Sequence, residues 1–297
     1  LIAVDWGTSQ LRAYRLDGSG AVLEARERPE GILSVPPGGF PKALDAITAG
    51  WEADAVRVLM SGMVGSRQGW LEIPYVDCPA DTAAIARGVR PVEWRQGSTA
   101  LICPGLTCRD ADGVPDVLRG EEVQVMGALA LDEGEGAGIG SILMAGTHSK
   151  HIRIEHGAIA GFATHMTGEV FAVLKAHSIL GRMMEEGPED AASFAAGVAR
   201  SGEGGGLLHH LFGVRTKGLT GELPGRAAAD FLSGILVGHT LRAARPAPPV
   251  LVIGAPAVAD RYLNACAQLG IAARGLASER ATIAGLAAVD RLLGKGQ

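Results

Sequence analysis

Short runs rich in valine, isoleucine and leucine alternate with longer stretches whose apolar residues recur every three or four positions. That alternation predicts an α/β protein. The apolar runs predict strands near 2–5, 11–16, 21–25, 56–60, 99–103, 141–145, 151–155, 158–161, 249–253 and 271–274. The helical spacing predicts helices over 40–51, 79–87, 121–131, 168–180, 189–200, 226–243, 257–269 and 279–293. In the last of these, Ile283, Leu286, Val289 and Leu293 form one core-facing stripe. The polar, acidic, glycine-rich segment DEGEGAGIG (132–140) is the best boundary between two halves, 1–133 and 134–297, with the 279–293 helix free to pack back on the first.

The halves open alike. In IAVDWGTSQLRAYRLDG, Gly7-Thr8 is followed by Gly18, eleven residues after Gly7; in ILMAGTHSKHIRIEHG, Gly146-Thr147 is followed by Gly157 at the same interval. Each copy reads strand, Gly-Thr turn, strand, glycine turn, strand, which suggests duplicated domains offering two such turns to a shared cleft.

Composition narrows the function. The 297 residues carry a formal charge of −5 and no basic stripe, which argues against a nucleic-acid partner. No apolar run approaches a membrane helix. Cys78, Cys103, Cys108 and Cys266 form no framework, as suits a reducing cytoplasm. The sequence begins at Leu1 without methionine, so a removed leading segment stays open. The 43 glycines cluster in SGMVGSRQGW and MAGTHSK, where they suit close backbone approach to a ligand.

A glycine turn with hydroxyls can cradle phosphate. In the first turn Gly7, Thr8 and Ser9 stand beside Asp5, which suits a magnesium ion (Mg2+), and Arg12 adds a cation; a polar surface hairpin explains the same residues equally well. Lys150 is open between phosphate contact and a solvated lysine. His148 and His151, three apart across a turn and strand, do not suit a metal site. His165, in the loop ATHMTGE, is either a substrate contact or an ordinary loop histidine, and His209-His210 reads as a helix-end pair. Neither G-x-x-x-x-G-K-[ST] nor G-x-G-x-x-G occurs. Phosphoryl transfer needs a carboxylate near the acceptor hydroxyl. Glu121 and Glu122 open a helix in VLRGEEVQVMGALAL, and Glu121 is slightly preferred as the base because only one of the two can face a cleft.

Together these residues make the chain resemble the sugar-kinase branch of the actin, Hsp70 and hexokinase superfamily, and within it the 2-dehydro-3-deoxygalactonokinase family. IAVDWGTSQLRAY, MSGMVGSRQGWLEIPY, CPGL, LRGEEVQVMGA, MAGTHSKHI, MTGEVF and FLSGILVGH carry the resemblance nearly end to end. It implies two ribonuclease-H-like domains, with mixed sheets flanked by helices and an ATPase-type cleft between them. The implied reaction is ATP-dependent phosphorylation of 2-dehydro-3-deoxy-D-galactonate at its 6-hydroxyl. Gly7, Thr8, Ser9 and Arg12 match the first phosphate motif; Gly146, Thr147, His148 and Ser149 match the second. VLVIGAPAVADRYL resembles the adenosine motif, with Gly254 in place but Ala255-Pro256 where many members have a second glycine. Gly234 and Gly238, on the 226–243 helix, either wall the nucleoside or serve helix packing. Ser61, Gly62, Met63 and Gly65 stand at motif positions that can hold the sugar acid's oxygens. Arg119 suits its carboxylate, and Trp70 and Tyr75 either wall that pocket or belong to the core. The partners implied are ATP and a small sugar acid, and a homodimer is left open. Two other readings remain: a kinase for another sugar or sugar acid, and an actin- or Hsp70-like ATP-driven switch. A dinucleotide oxidoreductase is remote.

Overall fold

The structure is a computed structural model that describes residues 1–51, 57–95, 97–132 and 138–294. The expected boundary at 133/134 and the first residue of the strand expected at 56–60 lie outside the described residues. The chain forms two compact units: 1–138 with 154–162 and 278–297, and 139–153 with 163–277.

The first unit runs β1 (Ile2–Trp6), β2 (Leu11–Leu16), β3 (Val22–Arg28), α1 (Phe40–Thr48), β4 (Val58–Ser61), β5 (Val76–Asp77), α2 (Thr82–Gly88), β6 (Arg90–Arg95), β7 (Ser98–Ile102), β8 (Leu106–Arg109), β9 (Pro115–Leu118) and α3 (Glu121–Asp132). Its six-stranded sheet has the order β3-β2-β1-β4-β7-β6. The β1-β2-β3 segment is antiparallel, whereas β1, β4 and β7 run parallel. In β1 and β4 nearly every residue is buried, because layers cover both faces of these central strands and remove the alternation of a half-exposed strand. Asp5 is the exception in β1. A smaller sheet, β5-β8-β9, completes the unit.

The second unit is built on β10 (Ser141–Ala145), β11 (Ser149–Glu155) up to Arg153, the last residues of β12 (Ala158–His165), α4 (Thr167–His177), α5 (Ala191–Arg200), α6 (Gly206–Leu219), α7 (Gly225–Ala244), β13 (Val250–Gly254), α8 (Pro256–Gln268) and β14 (Ala273–Ala277), with residues 154–162 of the β11–β12 hairpin counted in the first unit. Its sheet has the order β12-β11-β10-β13-β14, with β10, β13 and β14 parallel. A hairpin leading into parallel strands therefore recurs, and both units have the mixed sheet and flanking helices of the expected α/β fold.

The last helix, α9 (Ser278–Gly294), belongs to the first unit and packs on α3. The crossing is made by two glycines: a Cβ on Gly127 would stand 1.9 Å from Ala281 O, and one on Gly285 1.9 Å from Val123 O. Among the described residues no helix is long and apolar enough to cross a membrane.

Several elements differ from the sequence expectation. His165 closes β12 instead of lying in a loop. His209 and His210 sit inside α6, a helix the sequence pattern did not reveal, and buried His210 bonds His239 and the Gly204 carbonyl. β5, β6, β8 and β9 were likewise unforeseen.

Candidate active site

In the first unit the site forms at the carboxyl ends of parallel strands, where open α/β sheets leave a crevice. Asp5 on β1 lies level with Ser61 on β4. The chain then turns through Gly62 at φ 96°, and the β9–α3 connection turns through Gly120 at φ 100°. Both conformations suit glycine. Glu121 and Glu122 follow in the first turn of α3, where the helix dipole favours negative charge. The Glu121 carboxylate accepts from the Arg119 backbone N–H at 3.0 Å, and that of Glu122 from the Gly120 N–H at 2.7 Å.

The three carboxylates differ in environment. Burial pushes the Asp5 carboxyl up to about 6; the Arg12 guanidinium opposes this and the charge of Glu121 adds to it. Arg12 lies 3.8 Å from Asp5 and also pairs with Glu27. Glu122 is fully buried, and burial, reinforced by Glu121, raises it to about 8. Its Oε1 has no hydrogen-bond partner among the described residues. Glu122 therefore keeps its proton at neutral pH, while the half-buried Glu121 is the carboxylate electrostatically linked to Asp5.

Arg119 is buried beside them. Its Nη2 donates to Ile73 O at 2.7 Å and its guanidinium lies 4.4 Å from the centre of the Tyr75 ring. Nε and Nη1 have no hydrogen-bond partner among the described residues. A Cβ on Gly65 would stand 3.0 Å from Nη1, so this glycine makes room for the guanidinium. Ser61 and Gly62 are buried, with Met63 half-buried in the short turn that follows. Trp70 stacks on Phe40 at 6.0 Å and meets Trp6 edge-on, so it packs with the core; Tyr75 is the aromatic against Arg119. In the first Gly-Thr turn, Gly7 N donates to Gln10 O and Thr8 and Ser9 are exposed.

The second unit holds a cavity of about 850 Å³, again at the carboxyl ends of parallel strands. Gly146 and Thr147 line one part of it, with Gly168 at the start of α4. Ala255 and Val258 supply the α8 wall. Gly254 is needed where β13 passes β10, because a Cβ there would stand 2.6 Å from Ala145 O. Helix α7 does line the cavity, but through Asp230, Ser233, Leu236 and Val237. Gly234 and Gly238 instead face α5 and the residue after it: their Cβ positions fall 2.1 Å from Phe194 O and 2.2 Å from Ser201 Oγ. Close helix packing accounts for both glycines.

His148, in the second Gly-Thr turn, pairs with Glu169. The Ser149 hydroxyl is fully buried and bonds Tyr262 Oη at 2.6 Å, so it faces the core. Lys150 is buried in β11. His151 and His165 meet edge to face at 4.9 Å; burial, reinforced by His165, lowers His151 to about 3. No group of three or more metal-ligating side chains occurs among the described residues.

Sequence reasoning missed Gly120, Thr167, Gly168, Glu169, Ser233, Val258 and Arg261. MTGEVF and VADRYL had marked five of these positions, but only the folded chain shows what they touch.

These two sites can be set against known proteins. A profile of the 2-keto-3-deoxy-galactonokinase family matches residues 5–289. The chain is similar to the probable 2-dehydro-3-deoxygalactonokinase of Rhizobium meliloti (strain 1021), with 37% identity over 303 residues covering 98% of this chain and 96% of the relative. It is also similar to the 2-dehydro-3-deoxygalactonokinase of Escherichia coli (strain K12), at 32% identity over 292 residues, 97% of this chain and 96% of that one. A crystal structure of a protein from Sinorhizobium meliloti, described as a candidate 2-dehydro-3-deoxygalactonokinase, superposes with a TM-score of 0.89 at 33% identity and 98% coverage of both chains. Matched from its first strand to its last helix, with relatives above 30% identity along nearly its whole length, this chain belongs to the 2-keto-3-deoxy-galactonokinase family.

Proposed function

We propose that the protein transfers the terminal phosphoryl group of ATP to the 6-hydroxyl of 2-dehydro-3-deoxy-D-galactonate. The observation that carries this reading is the Asp5, Arg119 and Glu121 constellation in a chain of this family. A sugar acid brings one carboxylate and one hydroxyl to be deprotonated; the first unit offers a buried guanidinium with spare donors and the half-buried carboxylate of Glu121.

In this reading Arg119 takes the acceptor's carboxylate, with Tyr75 fixing the plane of its guanidinium, and the backbone of Ser61–Gly65 meets the keto and hydroxyl oxygens. Glu121 accepts the proton of the attacking hydroxyl, and Glu122, neutral and buried, holds the turn through Gly120. The nucleotide lies in the second unit's cavity, with its base against Val258 and the α7 face and its phosphates at Gly146-Thr147. In the first unit the turn at Gly7, Thr8 and Ser9, with Arg12 on β2, offers hydroxyls and a cation that suit phosphate. Catalysis of this kind rests mainly on positioning and charge stabilisation.

Magnesium is usually held by one or two carboxylates plus the nucleotide's own phosphates, so a lone Asp5 without a ligand cluster fits it. Asp5 would hold the hydrated ion, which supplies charge neutralisation at the triphosphate when bound.

The test is ATP consumption with a panel of sugar acids and neutral sugars, the product's phosphate position being read by NMR. ADP release strictly dependent on the sugar acid, with phosphate at C6, is expected. ADP release indifferent to every sugar would overturn the reading in favour of a nucleotide-driven switch.

A further inference from the structure

The motif MTGEVF has no part in the chemistry described above, yet its residues bear directly on the second Gly-Thr turn. The backbone N–H groups of Gly168 and Glu169 both donate to the carbonyl of Thr147, each at 3.0 Å. Helix α4 therefore spends these N-terminal donors on the turn and not on a ligand. The carboxylate of Glu169 pairs in addition with His148 Nε2. One residue thus holds two successive residues of the turn, one by its main chain and one by its side chain.

The neighbours of Glu169 complete the arrangement. A Cβ on Gly168 would stand 2.8 Å from both Gly146 O and Thr147 Cα, so only glycine lets α4 approach so closely. The Thr167 hydroxyl meets that of Thr240 on α7 at 2.8 Å, which ties the start of α4 to the cavity's other wall. These contacts order a three-residue turn that would otherwise be free to choose among conformations, and such ordering before binding reduces the entropy lost when a ligand arrives.

We propose that Glu169 is a positioning residue for phosphoryl transfer, setting through Thr147 and His148 the turn against which a nucleoside triphosphate lays its phosphates. The carboxylate fixes the direction of the imidazole, in the way that a carboxylate orients a working histidine elsewhere. With Nε2–H given to Glu169, the ring can meet a phosphate oxygen only when doubly protonated, through Nδ1–H. This rests on reading the second unit's cavity as the nucleotide site.

Four variants test it: Glu169→Ala, Glu169→Gln, His148→Ala and the double alanine variant, with Val258→Trp as a block of the cavity itself. Glu169→Ala is expected to lower kcat/KM for ATP about tenfold or more and to leave KM for the sugar acid within about twofold. The amide of Glu169→Gln can still accept from Nε2–H and should restore part of the loss. The double variant should be no worse than His148→Ala alone, because the carboxylate acts through the imidazole. Both side chains are more than two-fifths exposed, so the thermal midpoint should not move. Unchanged ATP kinetics in Glu169→Ala, or fully additive losses in the double variant, overturn the proposal. If Val258→Trp leaves KM for ATP unchanged, the cavity reading itself is wrong; if it blocks ATP while the Glu169 variants do nothing, only the positioning role fails.

Discussion

Gly62 and Gly120 meet main chain to main chain: a Cβ on Gly120 would stand 3.1 Å from the Cα of Gly62. A Cβ on Gly62 would in turn stand 2.8 Å from Trp6 O and 3.4 Å from Asp5 Oδ1. Three strand ends thus come together without side chains, and this closeness brings Asp5 beside Glu121. Both glycines have positive φ, so alanine would be strained even where the neighbours could move. Gly62→Ala is expected to destabilise the protein by about 1–3 kcal/mol. Its sugar-acid phosphorylation should fall much further than its ATP binding. Calorimetry and a coupled kinase assay on the same sample separate the two effects.

If Asp5 acts as proposed, the Arg12–Asp5 pair is expected to set the acid side of the pH profile. Asp5 is raised to about 6 by burial, and the Arg12 cation opposes that rise. Activity should therefore climb as pH increases through about 6, where the carboxylate ionises. Arg12→Gln removes the opposing charge and should move this limb to higher pH. Asp5→Asn should lower kcat by about 100-fold or more with the fold intact. A limb that stays in place in Arg12→Gln would show that another group controls it.

Glu122 contributes a stability term of the opposite sense to that of a salt-bridged carboxylate. Its carboxyl moves from 4.5 to about 8 on folding. Between those values the native protein holds more protons than the unfolded chain, so stability falls as pH rises from 4.5 to about 8 and levels off above. Asp5 adds a smaller term of the same sign between 3.8 and about 6. In Glu122→Gln the amide can keep the hydrogen bond from Gly120 N, and its NH2 takes the place of the unpartnered Oε1. This variant should flatten most of the decline and match or exceed the parent above pH 8, as thermal melts across pH would record.

Much of this architecture was legible because the long elements state their own period. The runs at 11–16 and 141–145 are β2 and β10 to the residue, and α3, α7, α8 and α9 lie within a residue or two of their apolar stripes. The misses have physical causes. β5 is two residues long, β9 begins with Pro115, and β6 carries Pro91, Glu93 and Arg95, none of which reads as a buried strand. In α6, four glycines at its start and within it, and the exposed Leu208, Phe212 and Leu219, blur the helical period.

The site was harder to read, since equal spacing in the sequence hides register. Gly7 and Gly146 open matching patterns, yet β1 and β2 pair Trp6 with Leu11 whereas β10 and β11 pair Met144 with Lys150. The second turn is tighter by one residue, and Ser149, a motif hydroxyl, goes into the core against Tyr262. Nothing in the letters EE distinguishes the buried Glu122 from the half-buried Glu121.

In the proposed reading Arg119 selects the acceptor by its carboxylate. Its Nε and Nη1 lack protein partners among the described residues, and either one, with the second N–H of Nη2 beside the one given to Ile73 O, makes a two-pronged fork for a carboxylate. Arg119→Lys keeps the charge but loses that fork, and Arg119→Gln loses both. KM for the sugar acid should rise about 10–100-fold, the range expected when a hydrogen bond to a charged group is lost, with Gln worse than Lys and KM for ATP unchanged. Discrimination against neutral sugars should shrink in the same order. If both KM values rise together, Arg119 supports the fold and does not read the carboxylate.

Gly234 separates packing from ligand contact on α7. Its Cβ position falls 2.1 Å from Phe194 O and 3.0 Å from the Cα of Gly197, while Gly197's own falls 2.2 Å from Phe231 O. Here α5 and α7 touch through their backbones, and the next residue along, Ser233, lines the cavity. Gly234→Ala must push the helices apart, at a cost of about 1–3 kcal/mol for overpacking. The protein that remains folded should bind ATP normally. Enlarging the residue on the other face, as in Ser233→Leu, should do the reverse, raising KM for ATP with little change in the melting midpoint. A Gly234→Ala protein that melts like its parent but binds ATP poorly would reverse the two assignments, because helix separation would then be harmless and the glycine itself would face the nucleotide.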